Sequence, residues 1–207
     1  IAADRIIKTG SHMQEVLNHF MPKIKQSIVL NKLDLNAQRY FIVSAHREEN
    51  VDTTANLQDL LDTLKALVKQ YDMPVIVSTH PRTRQRMEKL GIEGLDPRIK
   101  FLKPFGFFDY IKLQMEAFCI LSDSGTITEE SSLLNLPAVT IRNAHERPEG
   151  MDEGTLIMSG LKAERVLDSV RVITHQHSLL ERSHKLVQDY DGGKVSQKVL
   201  RVVLSYT

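Results

Sequence analysis

Cysteine is almost absent from this 207-residue chain: one residue, Cys119, excludes an intrachain disulfide and fits a reducing compartment. Its neighbours Phe118, Ile120 and Leu121 mark it as a buried strand residue rather than a nucleophile. Net charge is nearly absent too: 27 Lys and Arg against 26 Asp and Glu leave +1, and no basic stripe is interleaved with aromatics. That excludes a dedicated nucleic-acid binder. No apolar run approaches the roughly 20 residues that span a bilayer, and no signal peptide opens the chain. No membrane partner and a cytoplasmic location are therefore expected. Internal repeats, low-complexity linkers, a Walker loop and a GxGxxG turn are all missing. No metal and no cofactor is expected.

What is present is an ordinary globular composition, 42% hydrophobic and 26% charged, in a chain long enough to bury a sizeable core. Short, nearly continuous apolar runs at 40–44 (YFIVS), 74–78 (PVIVS), 99–102, 118–121 (FCIL) and 138–141 (AVTI) suit strands buried on both faces of a parallel sheet. A weaker sixth run is 155–158 (TLIM). Leu57, Leu60, Leu61, Leu64, Leu67 and Val68 recur at three- and four-residue spacings and predict a helix over about 54–70. Further helices are predicted at 83–90, 108–117 and 127–134, the last closed by Asn135-Leu136-Pro137. Alternating strands and helices imply a doubly wound, three-layer α/β sandwich with right-handed crossovers. A helical tail is predicted at 163–173, 178–190 and 195–205, broken at Asp191-Gly192-Gly193.

In such a sheet ligands bind outside the carboxyl ends of the strands. The residues directly after five of the strands are 45–49 (AHREE), 79–82 (THPR), 103–106 (KPFG), 122–125 (SDSG) and 142–147 (RNAHER). Histidine, arginine, serine and glycine thus gather on one rim. Ser124, Gly125 and Thr126 at the mouth of the 127–134 helix form a cradle of small residues, where exposed N–H groups and the helix dipole favour a phosphate. Asp123 is assigned as the cap of that helix. Glu129 and Glu130 are adjacent and project about 100° apart, so one of them alone faces a ligand. The apolar stripe through Ile127, Leu133 and Leu134 leaves open which, and Glu130 is the candidate to accept hydrogen bonds from sugar hydroxyls. His46 is a candidate donor to a diphosphate or proton source for a departing phosphate oxygen. Arg47 either clamps phosphate or pairs with Glu48 or Glu49. His80 holds the equivalent place after the second strand. Tyr110 is the aromatic chosen to stack on a nucleobase, and Arg147 stands in a segment, HERPEG (145–150), too charged for an ordinary crossover.

Taken together, AHREEN (45–50), SDSGTITEES (122–131) and ERPEGMDEGT (146–155) resemble the non-hydrolysing UDP-N-acetylglucosamine 2-epimerases. The likeness runs from Thr9-Gly10-Ser11 to Tyr190-Asp191-Gly192-Gly193. It implies a GT-B arrangement of two Rossmann-like halves, of which residues 1–207 are the C-terminal, UDP-binding one with a helical tail from about 160; the catalytic N-terminal domain lies outside this chain. By the same resemblance Ser124 and Gly125 hold the diphosphate, Glu130 the ribose hydroxyls and Tyr110 the uracil. His46 and Arg147 approach the diphosphate and sugar. A UDP-sugar is the implied substrate, the enzyme's own N-terminal domain the implied partner, and a homodimer the implied full-length form. The usual pattern has two arginines after the histidine, where Arg47 is followed here by Glu48, and SGG, where Thr126 makes SGT. These variants and LKPFGFFDY (102–110) are similar to a branch acting on modified sugars of surface polysaccharides, nearest to the UDP-N-acetyl-L-fucosamine synthases. The activity implied is inversion at C2 by elimination and re-addition of UDP. With its C2 carboxylates in the other half, the chain alone is expected to bind UDP with little or no turnover. A GT-B glycosyltransferase, which shares the ribose-binding glutamate, and a non-catalytic nucleotide-sugar sensor are the alternatives.

Overall fold

A computed structural model of the chain describes residues 2–45, 53–79, 81–90, 94–144 and 146–206. Strands form at the short apolar runs: β1 (Phe41–Ser44), β2 (Val75–Ser78), β3 (Ile99–Leu102), β4 (Cys119–Ser122), β5 (Ala138–Thr140) and β6 (Ile157–Met158). All pair in parallel, in the order β3-β2-β1-β4-β5-β6. This is the Rossmann-like doubly wound sheet expected from the alternation of strands and helices. The order reverses between β1 and β4, which run in register from Phe41 beside Cys119 to Ser44 beside Ser122. A crevice opens at such a reversal, outside the strand ends.

The helices in chain order are α1 (Met13–Lys25), α2 (Val29–Leu33), α3 (Thr54–Tyr71), α4 (Pro81–Lys89), α5 (Phe107–Met115), α6 (Thr126–Leu134), α7 (Pro148–Asp152), α8 (Ala163–Gln176) and α9 (Val195–Ser205). Alternation along each strand splits the core into two layers. Phe41, Val43, Val75, Val77, Cys119 and Leu121 face the leucine stripe of α3 and Val166, Val170 and Ile173 of α8. Ile42, Ile76, Ile120 and Ala138 face Leu113 of α5, Ile127 of α6 and Val29 of α2. α1 lays Leu17 and Ile24 on Ile111 of α5, with Leu133 and Leu134 of α6 alongside. Cys119 is fully buried in the core, and that burial pushes its thiol pKa up, away from reactivity. Among the described residues no helix is long and apolar enough to cross a membrane.

Two differences from expectation have physical causes. The 178–190 segment is not a helix but an irregular strap across the C-terminal end of α6. Arg182 donates to the carbonyls of Ser132 (2.5 Å) and Leu133 (2.8 Å), placing a cation where the helix dipole is negative. The Val187 amide donates to Ser132 Oγ at 3.1 Å, and Asn135 Nδ2 to the Ser178 carbonyl at 2.9 Å. The strap is thus tied to the end of α6, while within it the Leu180 and Glu181 amides donate to Ser178 Oγ. Its Leu179 and Leu180 are exposed rather than lining a helical core face. The second difference is at the start of the chain, where α1 and α2 precede the first element expected; Pro22 in the last turn of α1 interrupts the helical signal there.

α7 packs on α6 at a point where no side chain fits. A Cβ on Gly150 would lie 2.0 Å from Cγ2 of Thr128, a stiff β-branched atom inside the α6 helix. Gly150→Ala is therefore expected to destabilise the protein by about 1–3 kcal/mol, the usual cost of overpacking. Adding Thr128→Ser, which removes Cγ2, restores most of that loss. Equal denaturation midpoints for wild type and Gly150→Ala would contradict the close approach.

Candidate functional site

At the switch point between β1 and β4 the chain gathers its polar side chains. Ser44 ends β1, and its carbonyl accepts from the Asp123 amide at 3.0 Å, so the loop leaving β4 stays against β1. Ser122 Oγ accepts from the Ser124 amide at 3.1 Å. Ser124 Oγ stands 3.0 Å from Thr126 Oγ1. The N-cap of α6 is Gly125, a residue without a side chain. This corrects the assignment of Asp123 as cap: Asp123 lies fully buried earlier in the loop, facing the interior. The cap position itself thus carries no side chain, and the Ser124 and Thr126 hydroxyls flank it.

The two adjacent glutamates of α6 part as the helical rotation demands. Both are buried, Glu129 at 4% and Glu130 at 6% exposure, so each needs its own partners. Glu130 accepts from Gln114 Nε2 at 2.8 Å, and Thr126 stands one turn before it on the helix. Burial raises its pKa above the ordinary carboxylate value, and neighbouring Glu129 adds to the rise against the pull of that hydrogen bond. The Tyr110 hydroxyl is buried beside the same cluster, near enough to feel the Glu130 charge. Burial, then the Glu130 charge, push its pKa up to about 12. The Tyr110 ring packs with the apolar layer that holds Ile42 and Ile76.

Glu129 turns the other way. Its Oε1 lies 2.5 Å from Arg147 Nη1, and its Oε2 accepts from Ser11 Oγ at 2.6 Å. Arg147 precedes α7, and its Nε comes within 3.7 Å of the place a Cβ on Gly125 would occupy. Glu146 also reaches this place, 2.8 Å away, while pairing with Arg142 Nη1 at 2.8 Å. Beyond Arg147 opens a cleft of about 400 Å³ lined by Thr9, Ser11, Glu129, Glu149 and Tyr190 among others. Tyr190 donates to Glu149 at 3.0 Å across it.

Of the residues expected from sequence, Tyr110, Ser124, Gly125, Thr126 and Glu130 thus lie together at the switch point, and Arg147 lies over Gly125. His46, Arg47 and His80 lie outside the described residues. Three members of the cluster were not expected: Gln114, Ser44 and Ser11. Gln114 had a legible signal, since it stands four residues after Tyr110 on the same helix and so shares its face. Ser11, 118 residues from Glu129, had none.

The sequence pattern of the UDP-N-acetylglucosamine 2-epimerase family matches residues 1–204. The chain belongs to that family. A UDP-N-acetylglucosamine 2-epimerase of Methanocaldococcus jannaschii is 29% identical over 167 residues, 79% of this chain and 44% of that protein. One from Methanococcus maripaludis is 34% identical over 144 residues, 68% of this chain and 39% of that protein. Among solved structures, a UDP-N-acetylglucosamine 2-epimerase from Rickettsia bellii superposes with a TM-score of 0.91 at 56% identity, covering 100% of this chain and 55% of that one. The M. jannaschii enzyme in complex with UDP-GlcNAc and UDP gives 0.86 at 26% identity, covering 100% and 56%. The chain therefore spans about half the length of the relatives it matches, and corresponds to the C-terminal half of a GT-B epimerase.

The raised pKa of Glu130 carries a stability consequence. A carboxyl group that keeps its proton to higher pH when folded than when unfolded favours folding below its ordinary pKa and opposes it as pH rises through the folded value. Glu130→Gln keeps the acceptor for Gln114 and removes the buried charge. It is expected to melt higher than wild type at pH 7, with the gap closing below about pH 4, where both states carry the proton. A lower melting temperature for Glu130→Gln at pH 7 would mean that the hydrogen bonds, not burial, dominate.

Proposed function

We propose that this chain is the nucleotide-binding half of an isomerase that inverts C2 of a UDP-N-acetylhexosamine. The observation that carries the proposal is the coincidence of two facts. The chain belongs to the epimerase family, and the Ser124, Gly125, Thr126 and Glu130 of its second motif stand at the start of α6, beside the ends of β1 and β4. A relative of the same fold is described with UDP-GlcNAc and UDP bound, which supports a UDP-sugar as ligand.

In this reading the diphosphate sits on the Ser124-Gly125-Thr126 mouth of α6, with Arg147 alongside. Glu130 accepts from the ribose hydroxyls, and the Tyr110 face of α5 flanks the uracil. His46, Arg47 and His80 reach the diphosphate and sugar from the ends of β1 and β2. The reaction removes the C2 proton and breaks the bond between C1 and the β-phosphate oxygen, leaving a glycal and free UDP. UDP then re-adds at C1 while C2 takes a proton on the opposite face. This half supplies the leaving-group end: donors at the helix mouth, Arg147 and His46 stabilise charge building on the departing oxygen. The base at C2 belongs to the N-terminal half, so this chain alone binds UDP with little or no turnover.

The exposed apolar face of α9, with Val199, Leu200, Val203 and Leu204, is the surface that packs toward that half. A modified sugar of surface polysaccharides, in the manner of the fucosamine branch, is the proposed substrate class, and a homodimer the proposed full-length form. A 27%-identical relative in Pseudomonas aeruginosa, a UDP-2,3-diacetamido-2,3-dideoxy-D-glucuronate 2-epimerase, is matched over 95% of this chain and supports a modified sugar.

Ser124→Ala and Glu130→Ala are each expected to weaken UDP binding by roughly 1–2 kcal/mol, the scale of a hydrogen bond to a charged group. Calorimetry giving wild-type affinity for both would remove the nucleotide from this rim. The reaction itself is tested by NMR of the two-domain enzyme with candidate UDP-sugars in deuterated water. Deuterium entering at C2 with a C2 epimer supports the isomerase, whereas a transferred sugar would assign a glycosyltransferase.

A further inference from the structure

Glu129 falls outside the roles just described, yet it is among the most enclosed charges at the site. Its two oxygens have separate partners: Arg147 Nη1 at 2.5 Å on one, Ser11 Oγ at 2.6 Å on the other. Ser11 is itself held, its amide donating to the Asp189 carbonyl at 2.8 Å and its hydroxyl accepting from the Met13 amide at 3.1 Å. The carboxylate is therefore framed from two directions and fixed in plane. Arg147, by contrast, is long and its side chain is 34% exposed. Left alone, such a side chain samples many rotamers, and ordering it on a ligand costs affinity.

We propose that Glu129 is a positioning residue that holds the Arg147 guanidinium beside Gly125, ready for the diphosphate. The proposal rests on the UDP reading of the site and goes beyond it by assigning the second glutamate a distinct duty. The geometry suits that duty. A guanidinium is a planar fork of five N–H donors. Binding Nη1 to Glu129 leaves the Nε edge turned to the cradle, within 3.7 Å of where a Gly125 Cβ would stand. Glu146 reaches the same spot, but it is itself paired with Arg142 Nη1 at 2.8 Å and its side chain is 45% exposed, whereas Glu129 is buried. Pairing the two also means that the buried Glu129 charge is not left without its counterpart.

The test measures UDP by calorimetry, and uridine by ligand-observed NMR, on wild type, Arg147→Ala, Glu129→Gln and the double variant. Arg147→Ala is expected to weaken UDP about tenfold and Glu129→Gln about three- to tenfold, in line with one charge-assisted hydrogen bond. The double variant should be no weaker than Arg147→Ala, and uridine, which lacks phosphate, should bind all four proteins alike. Ser11→Ala, which loosens the Glu129 frame from its far side, should show a smaller loss confined to UDP. It serves as the test if Glu129→Gln does not fold, and wild-type UDP affinity in that variant would then overturn the proposal. Wild-type UDP affinity in Glu129→Gln beside a loss in Arg147→Ala overturns the positioning role and leaves the UDP site standing. Additive losses, or losses shared by uridine, overturn it as well. Failure of UDP to bind wild type would instead remove the reading on which it rests.

Discussion

The structure turns on the burial of α6. Every residue from Ile127 to Ser132 is shielded from solvent, two of them carboxylates and three of them hydroxyls. A helix can be enclosed in this way when each polar atom on it is matched from outside. The neighbours of α6 are arranged accordingly. α5 supplies Gln114 to Glu130, the segment ahead of α1 supplies Ser11 to Glu129, the residue preceding α7 supplies Arg147, and the 178–190 strap supplies Arg182 and the Val187 amide at the far end. The sheet fixes where α6 begins, and this ring of partners fixes how it is rotated.

Rotation is what makes the switch point useful. With the mouth of α6 against the ends of β1 and β4, adjacent glutamates are directed into two chemically different surroundings. Glu130 looks toward the Gln114 amide, with the buried Tyr110 hydroxyl near it. Glu129 looks toward a guanidinium and a hydroxyl. The close approach of Gly150 to Thr128 keeps the Arg147 segment near enough for that pairing. Packing and electrostatics here are one arrangement, since the space a single methyl would take is what lets the charge reach its partner.

The parallel sheet, helices α3 to α6, α8 and α9, and the start of a helix just after Ser124-Gly125 were legible because they follow from local pattern. Continuous apolar runs, three- and four-residue spacings and the rule for strand ends need no knowledge of distant contacts. What escaped was decided at long range. The apolar spacing of 178–190 is compatible with a helix, and nothing within it announces that Ser132 and Leu133 will take its donors. Similarly, Asp123 has the chemistry of a helix cap, but the tie of its amide to the Ser44 carbonyl turns the loop so that Gly125 takes the cap position. The choice between Glu129 and Glu130 could not be read from the stripe of apolar residues, because both acids are buried. Burial separates ligand-facing from solvent-facing groups, not two enclosed groups from each other.

The same pair shows why such a site is costly to build and hard to simplify. Two carboxylates side by side in a low-dielectric helix repel each other, and the raised pKa of Glu130 is where that repulsion and its desolvation are felt. Giving both acids a cation would relieve the strain but would bury a second ion pair, whose desolvation its attraction does not always repay. Removing Glu129 would relieve it too, but would leave Arg147 without a buried counter-charge. Among the described residues the arrangement is the remaining solution: one acid is paired with Arg147 and the other is held by the neutral Gln114 amide. A buried carboxylate held in that way is stabilised by any further hydrogen-bond donor it meets. Burial beside a neutral amide rather than a guanidinium, placed at the switch point by a helix whose other polar groups find partners among the described residues, is what sets this carboxyl apart from its neighbour.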